Sequence, residues 1–258
     1  MMNRFVSILF LVIIAVTSIP MFVIALVIKA VTAPFDRRLR ALHMFTCFWG
    51  SFYTWIMPPW RITIEGREKI RRGATYMVVS NHQSQLDILV SFRLFFHFKW
   101  VSKVEMFKVP LIGWNMALNR YIKLTRGVKE SVQEMMQACE ERLREGSSVF
   151  MFPEGTRSFD GTVKAFKSGA FILAKKLKIP ILPIVISGTM KALPKYSVNF
   201  HGIQKMCIRV LDEVPYHAFE NLSVEETAEL VRGIIVTNLA RLNEQLEGAH
   251  QEAAAQLT

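Results

Sequence analysis

Residues 5–28 contain no charged side chain. About 24 residues of helix reach ~36 Å, enough to cross a bilayer core. Pro20 sits mid-run, where it removes a backbone donor and favours a kink or a break. The run therefore reads as one kinked spanning helix or as a helix that enters one leaflet and stops short. A cleaved signal peptide is the third reading; the length of the run and Lys29 in place of a small-x-small site stand against it. Asp36-Arg37-Arg38-Leu39-Arg40 opens a second stretch, rich in aromatic residues from Phe45 to Trp60 and closed by Pro58-Pro59. From Trp60 onward short apolar runs alternate with amphipathic ones. The pattern predicts strands over 61–65, 75–80, 121–124, 147–152, 181–187 and 207–210. It predicts helices over 86–96, over 129–144 with a stop at Gly146, and over 168–177. Ser223, with Glu226 three positions on, gives the capping-box start of a long amphipathic helix. Strands alternating with helices indicate an α/β domain over 59–248, its central sheet mostly parallel and flanked by helices. An N-terminal helical membrane anchor over 1–58 precedes it, and a frayed tail over 249–258 follows.

Composition sharpens the membrane reading. Mean hydropathy is +0.25 and 51% of residues are hydrophobic, high for a purely soluble enzyme. The formal charge of +11 asks for an anionic partner, and nucleic acid and anionic lipid attract it equally. The apolar N-terminus decides for membrane lipid; the dispersed basic residues match no zinc finger, RRM or basic zipper, so nucleic acid is set aside. Arginines beside an aromatic-rich helix suit an interface, with Trp49, Trp55 and Trp60 expected at headgroup depth. An ordinary amphipathic core helix is the alternative. The arginines after the apolar run place the body of the chain on the cytoplasmic face of the cytoplasmic membrane. Cys47, Cys139 and Cys207 form neither a CxxC pair nor a metal-ligand spacing, so buried or incidental thiols and no metal are expected.

Two short segments carry the chemistry. Asn81-His82-Gln83-Ser84-Gln85-Leu86-Asp87 follows an apolar run. Residues five apart on a helix are separated by about 140° and share no face. His82 and Asp87 can meet only if the histidine lies outside the helix. Ser84 as N-cap with Asp87 at the third helical position allows that, leaving His82 on the strand-to-helix turn. Asp87 then fixes the tautomer, and the other ring nitrogen is left to take a proton from a hydroxyl. The plainer reading makes Asp87 a helix cap and His82 a turn residue. No serine or cysteine sits in a G-x-S-x-G context, which favours direct transfer over a covalent enzyme intermediate.

The second segment is Phe152-Pro153-Glu154-Gly155-Thr156-Arg157-Ser158, a tight turn after an apolar strand. Arg157 can hold a phosphate through two parallel hydrogen bonds, and Gly155 lets a substrate approach the backbone. Glu154 either orders the turn or accepts from another substrate hydroxyl. Lys103 and Arg126 lie in supporting contexts, whereas Lys108, Lys123 and Lys164 read as solvated surface. Lys167 is read the same way, though it opens a helix and could line the site.

Together these segments resemble the glycerolipid acyltransferase family, in particular its bacterial 1-acylglycerol-3-phosphate acyltransferases. Residues 81–87 match the family's N-H-x4-D block, whose histidine and aspartate are the catalytic pair. Lys103, Pro110 and Gly113, running to Arg126, resemble the second block, associated with the acceptor's phosphate; Thr125 stands where the family has an aspartate. Residues 152–158 match the third block, and Ile181-Leu182-Pro183-Ile184-Val185 resembles the fourth. The resemblance implies transfer of a fatty acyl group to the 2-hydroxyl of lysophosphatidic acid. Its donor would be acyl-CoA or acyl-carrier protein, with no further cofactor. It implies His82 as base, Asp87 as its partner, and Lys103, Arg126 and Arg157 on the acceptor phosphate. Backbone donors around Gly155 and Thr156 would face the oxyanion. The alternatives are another lysolipid acceptor and a non-catalytic protein that binds anionic lipid.

Overall fold

The structure, a computed structural model, describes residues 2–197 and 199–255. Two helices, α1 (Met2–Thr32) and α2 (Arg40–Trp55), come first. There follow β1 (Trp60–Glu65), β2 (Met77–Ser80), α3 (Leu86–Phe92), β3 (Phe98–Lys103), α4 (Ile112–Leu118) and β4 (Ile122–Leu124). The second half runs α5 (Lys129–Arg144), β5 (Ser148–Met151), α6 (Gly169–Leu177), β6 (Ile181–Ser187), α7 (Thr189–Ala192), β7 (Gln204–Val210) and α8 (Val224–Ala255).

The strands form one seven-stranded sheet in the order β1-β7-β6-β2-β5-β3-β4. The run β6-β2-β5-β3-β4 is parallel throughout, while β7 is antiparallel to β6 and parallel to β1. The fold is thus α/β with a mostly parallel sheet. The central strands β2, β5 and β6 are buried along their whole length, which is why they read as unbroken apolar runs. Their side chains alternate between two cores. Val78, Phe150 and Ile184 face α1, α2 and α3. Met77, Val149 and Val185 face α5, α6 and α8. Phe10, Trp49 and Tyr53 belong to the first core, so the N-terminal helices and the sheet share it across the Pro58-Pro59 border.

Several expectations need correction. The helix expected over 86–96 ends at Phe92, and β3 follows unannounced. Lys99 broke the apolar pattern there, yet it is buried and donates to the Asn119 carbonyl at 2.9 Å. Trp49 and Trp60 are not at the surface: they are 4% and 6% exposed. The Trp49 indole donates to the Tyr53 hydroxyl at 2.8 Å, and that hydroxyl meets Thr17 and Ser18 of α1 at 3.2 and 3.1 Å. A polar knot therefore turns Trp49 inward, beside the proline. Trp60 packs edge-on against Phe10 and Phe200. Trp55 and Phe48 remain exposed. The first helix is continuous through Pro20, without the half-way stop. Where a frayed tail was expected, α8 continues past Gly248 to Ala255; the part of that tail at 256–258 lies outside the described residues.

Candidate active site

Five parallel strands bring their C-terminal ends to one edge, the usual ligand edge of such sheets. His82 follows β2, Glu154 to Ser158 follow β5, and Thr189 opens α7 after β6. Lys103 closes β3, and Arg126 lies on the turn after β4.

The turn after β2 is held from both sides. Asn81 spans to β6, donating to the Ile186 carbonyl at 2.8 Å and accepting from its amide at 2.9 Å. Asp87 is fully buried at the start of α3. Its Oδ2 accepts from the Gln83 and Ser84 amides at 2.7 and 2.9 Å and from His82 Nδ1 at 2.8 Å. Its Oδ1 accepts from the Thr189 hydroxyl at 2.5 Å. Asp87 is thus both a helix-end carboxylate and the histidine's partner. An ionised carboxylate only accepts, so the proton between the two sits on Nδ1 and Nε2 keeps its lone pair. Nε2 makes no hydrogen bond among the described residues. The ring lies flat against Phe152, centroids 3.9 Å apart and planes 10° apart, which fixes its orientation.

The turn after β5 is tied to the first. Glu154 Oε1 accepts the His82 amide at 2.7 Å and Oε2 the Lys164 amide at 3.1 Å. Burial pushes its carboxyl above the usual range, against the pull of those two amides. The Ser158 amide donates to the His82 carbonyl at 2.7 Å. Gly155 takes a φ of +70°, where a Cβ would lie 2.9 Å from Lys167 Cε, so a larger residue would meet both backbone strain and that side chain. The Gly155 amide donates to the Phe152 carbonyl at 3.0 Å. The amides of Thr156 and Arg157 make no hydrogen bond among the described residues.

Of the three cations expected on a phosphate, Lys103 and Arg126 lie at the ends of the paired strands β3 and β4, and Arg157 lies on the turn after β5. Arg157 lies over the Tyr196 ring, 6.0 Å from its centroid, and its carbonyl accepts from Lys195 Nζ at 2.9 Å. Lys103 pairs with Glu105 at 3.3 Å, both half exposed, and Arg126 is exposed. Thr189, Lys195 and Tyr196 were missed from the sequence, and Phe152 was named in its segment without a role. Thr189 had a signal: Gly188-Thr189 ends a buried strand much as Asn81 and His82 do. Lys195 and Tyr196 had none, since they act through a loop pinned by the Ser84 hydroxyl on the Leu193 carbonyl at 2.7 Å. Among the described residues, no three His, Cys, Asp or Glu side chains gather as a metal site.

Residues 61–187 match the family model described as acyltransferase. A chloroplastic 1-acyl-sn-glycerol-3-phosphate acyltransferase of Arabidopsis thaliana is 36% identical over 219 residues, covering 83% of this chain and 60% of the relative. The 1-acyl-sn-glycerol-3-phosphate acyltransferase of Saccharomyces cerevisiae is 34% identical over 186 residues, 70% of this chain and 60% of the relative. The chain thus spans about three fifths of these curated relatives. The crystal structure of the 1-acyl-sn-glycerophosphate (LPA) acyltransferase from Thermotoga maritima superposes with a TM-score of 0.76, covering 93% of this chain and 96% of that one. At 24% identity this likeness concerns the fold.

Proposed function

The chain belongs to the acyltransferase family through residues 61–187, and we propose that it moves a fatty acyl group from a thioester to the 2-hydroxyl of lysophosphatidic acid. The observation that carries this reading is the His82–Asp87 pair, with Nδ1 held at 2.8 Å and Nε2 without a hydrogen bond among the described residues. The names of the relatives support the acceptor.

Nε2 takes the proton of the attacking hydroxyl, whose oxygen bonds to the thioester carbonyl carbon. Asp87 stabilises the imidazolium that results. The oxyanion of the tetrahedral intermediate is met by the backbone amides of Thr156 and Arg157, the unengaged donors of the turn. Collapse restores the carbonyl and breaks the C–S bond, and the thiolate leaves with the proton from Nε2. Products are the diacylglycerol phosphate, phosphatidic acid, and a free thiol, and His82 ends as it began. Arg157 grips the acceptor phosphate, with Lys103 and Arg126 as further cations toward the β3–β4 side. The donor is acyl-CoA or acyl-carrier protein, and α1 holds the protein to the cytoplasmic membrane with the site on the cytoplasmic face.

Purified protein offered labelled acyl-CoA or acyl-carrier protein and a panel of lysolipids tests the acceptor. Acylation of lysophosphatidic acid above all others is expected. A preference for another lysolipid would move the acceptor while keeping the chemistry, and no transfer to any would reject the reading.

A further inference from the structure

A base that serves two substrates needs two approaches, and the sheet separates them. The loop after α7 lies on the α1 side: the Phe200 amide donates to the Ser7 hydroxyl at 2.9 Å, and its ring packs on Phe10 at 5.2 Å. Arg157 leans over Tyr196 of that same loop, so the phosphate grip faces the apolar helices. On the opposite face, at the same sheet edge, a cavity of about 340 Å³ opens between the catalytic turn and α8. Gln83, Thr162, Gly188, Lys191, Lys205 and Leu246 line it. Gln83 adjoins His82, and Gly188 adjoins Thr189, so the cavity wall is continuous with the two groups that hold Asp87.

We propose that this cavity seats the phosphopantetheine arm of the acyl donor, an inference that rests on the acyltransferase reading above. The lining decides the ligand class. Met190 and Leu246 are the large apolar side chains of its lining, against Gln83, Asp160, Thr162, Ser187, Asn243, Glu247 and two lysines. A fatty chain gains about 0.8 kcal/mol per CH₂ only where its surroundings are apolar, so an acyl chain does not belong there. A pantetheine arm does: it carries two amides and a hydroxyl along its length and a phosphate at its outer end. Volumes from about 300 Å³ upward are usual for such ligands. Asp160 is occupied in holding its own turn, accepting from Ser158 and Thr162, and Lys191 is the cation placed to answer a phosphate. Lys191 stands 3.3 Å from Glu247, both more than half exposed, a pair weak enough to open for a phosphate. A larger cavity of about 700 Å³ lies at the C-terminal ends of β1 and β7, the edge away from His82, and is rimmed by Glu65, Glu68, Asp212 and Glu213. The donor thus enters from the α8 face while the acceptor is taken from the α1 face.

The native cysteines are all buried, so one introduced thiol can report on the cavity without turnover. In the whole chain, alkylation of Leu246→Cys is expected to slow about tenfold at saturating S-alkyl coenzyme A or S-alkylated holo-acyl-carrier protein, whose blocked sulfur cannot consume the reagent. It should be unaffected by lysophosphatidic acid. Protection by the S-alkyl coenzyme alone assigns the coenzyme as source, and protection by the S-alkylated carrier alone assigns the carrier; either supports the site. Asn243→Cys, three positions earlier on the same helix face, repeats the measurement should the first variant fold poorly. Lys191→Glu should raise the donor KM about tenfold with the acceptor KM unchanged, whereas Glu247→Gln should leave the donor KM equal or lower. Alkylation indifferent to both donors, or slowed by lysophosphatidic acid, overturns the site. That result leaves the acyltransferase reading standing, because it is obtained without catalysis, while absent turnover in the wild type would strike that reading alone.

Discussion

Among the described residues Asp87 Oδ1 has one hydrogen-bond partner, the Thr189 hydroxyl. Thr189→Val keeps the shape and removes the donor, leaving a buried carboxylate oxygen unpaired at a cost of about 1–3 kcal/mol. Because Asp87 would then be less firmly held, kcat should fall by about tenfold with little change in either KM. A kcat equal to wild type would show that the backbone amides of Gln83 and Ser84 position Asp87 unaided. Arg157→Lys is expected to raise the acceptor KM far more than the donor KM, and the defect should persist at low salt, since lysine keeps the charge but loses the planar fork. Equal rises would make Arg157 an organiser of its turn. Sequence reading reached His82 and Asp87 because a five-residue spacing excludes a common helix face and so forces the turn. For Thr189 it offered only the likeness of Gly188-Thr189 to the strand end at Asn81-His82, because Thr189 is 102 residues from Asp87 in the chain and meets it through the pairing of β6 with β2.

Elements were legible where burial made the pattern simple. The strand β6 reads as an unbroken apolar run because it is covered on both faces, and α5 reads as one amphipathic stretch closed by Gly146. The capping box of α8 stands as expected, with Ser223 and Glu226 exchanging amide bonds at 2.7 and 3.0 Å. By contrast β3 was hidden by a lysine at its core, whose partner at Asn119 no local pattern announces. That lysine gives a test at this scale. Burial lowers Lys99 from 10.5 to about 7, with the Arg142 and Arg120 guanidinium groups adding to the effect. Between those values the unfolded chain binds the proton and the folded one does not, so stability should rise with pH across that window. Below about 7 both forms are charged and the destabilisation is complete. Thermal unfolding of the wild type from pH 7 to 10 should show this slope, at most about 1.4 kcal/mol per pH unit, and Lys99→Met should flatten it. An identical slope in both would place the proton elsewhere.

At the scale of the whole molecule the outer face of α1 is the outstanding feature. Within residues 4–32 the most apolar 18-residue stretch has a mean hydropathy of 2.9 with 11% of its residues buried, so the helix is long and apolar enough to cross a membrane. Ile8, Val12, Val23 and Val27 are about half exposed along it, and Trp114 of α4, packed on Phe22, extends the apolar surface to the catalytic body. High salt should leave the protein with the membrane pellet, since screening weakens arginine attraction and not apolar burial; release by salt alone would contradict an apolar anchor. Extracting a long-chain acceptor into water would cost about 0.8 kcal/mol per CH₂, so a site beside the bilayer can take the headgroup and leave the chain in lipid. On the proposed reading all of this serves one event at His82. The rate of labelled acyl transfer from thioester to lysophosphatidic acid should therefore be measured for wild type and His82→Ala, with thermal unfolding of both. A loss of roughly 10²–10⁴ in rate with unchanged unfolding is expected; near wild-type turnover by a folded His82→Ala protein would contradict the assignment of His82 as the base.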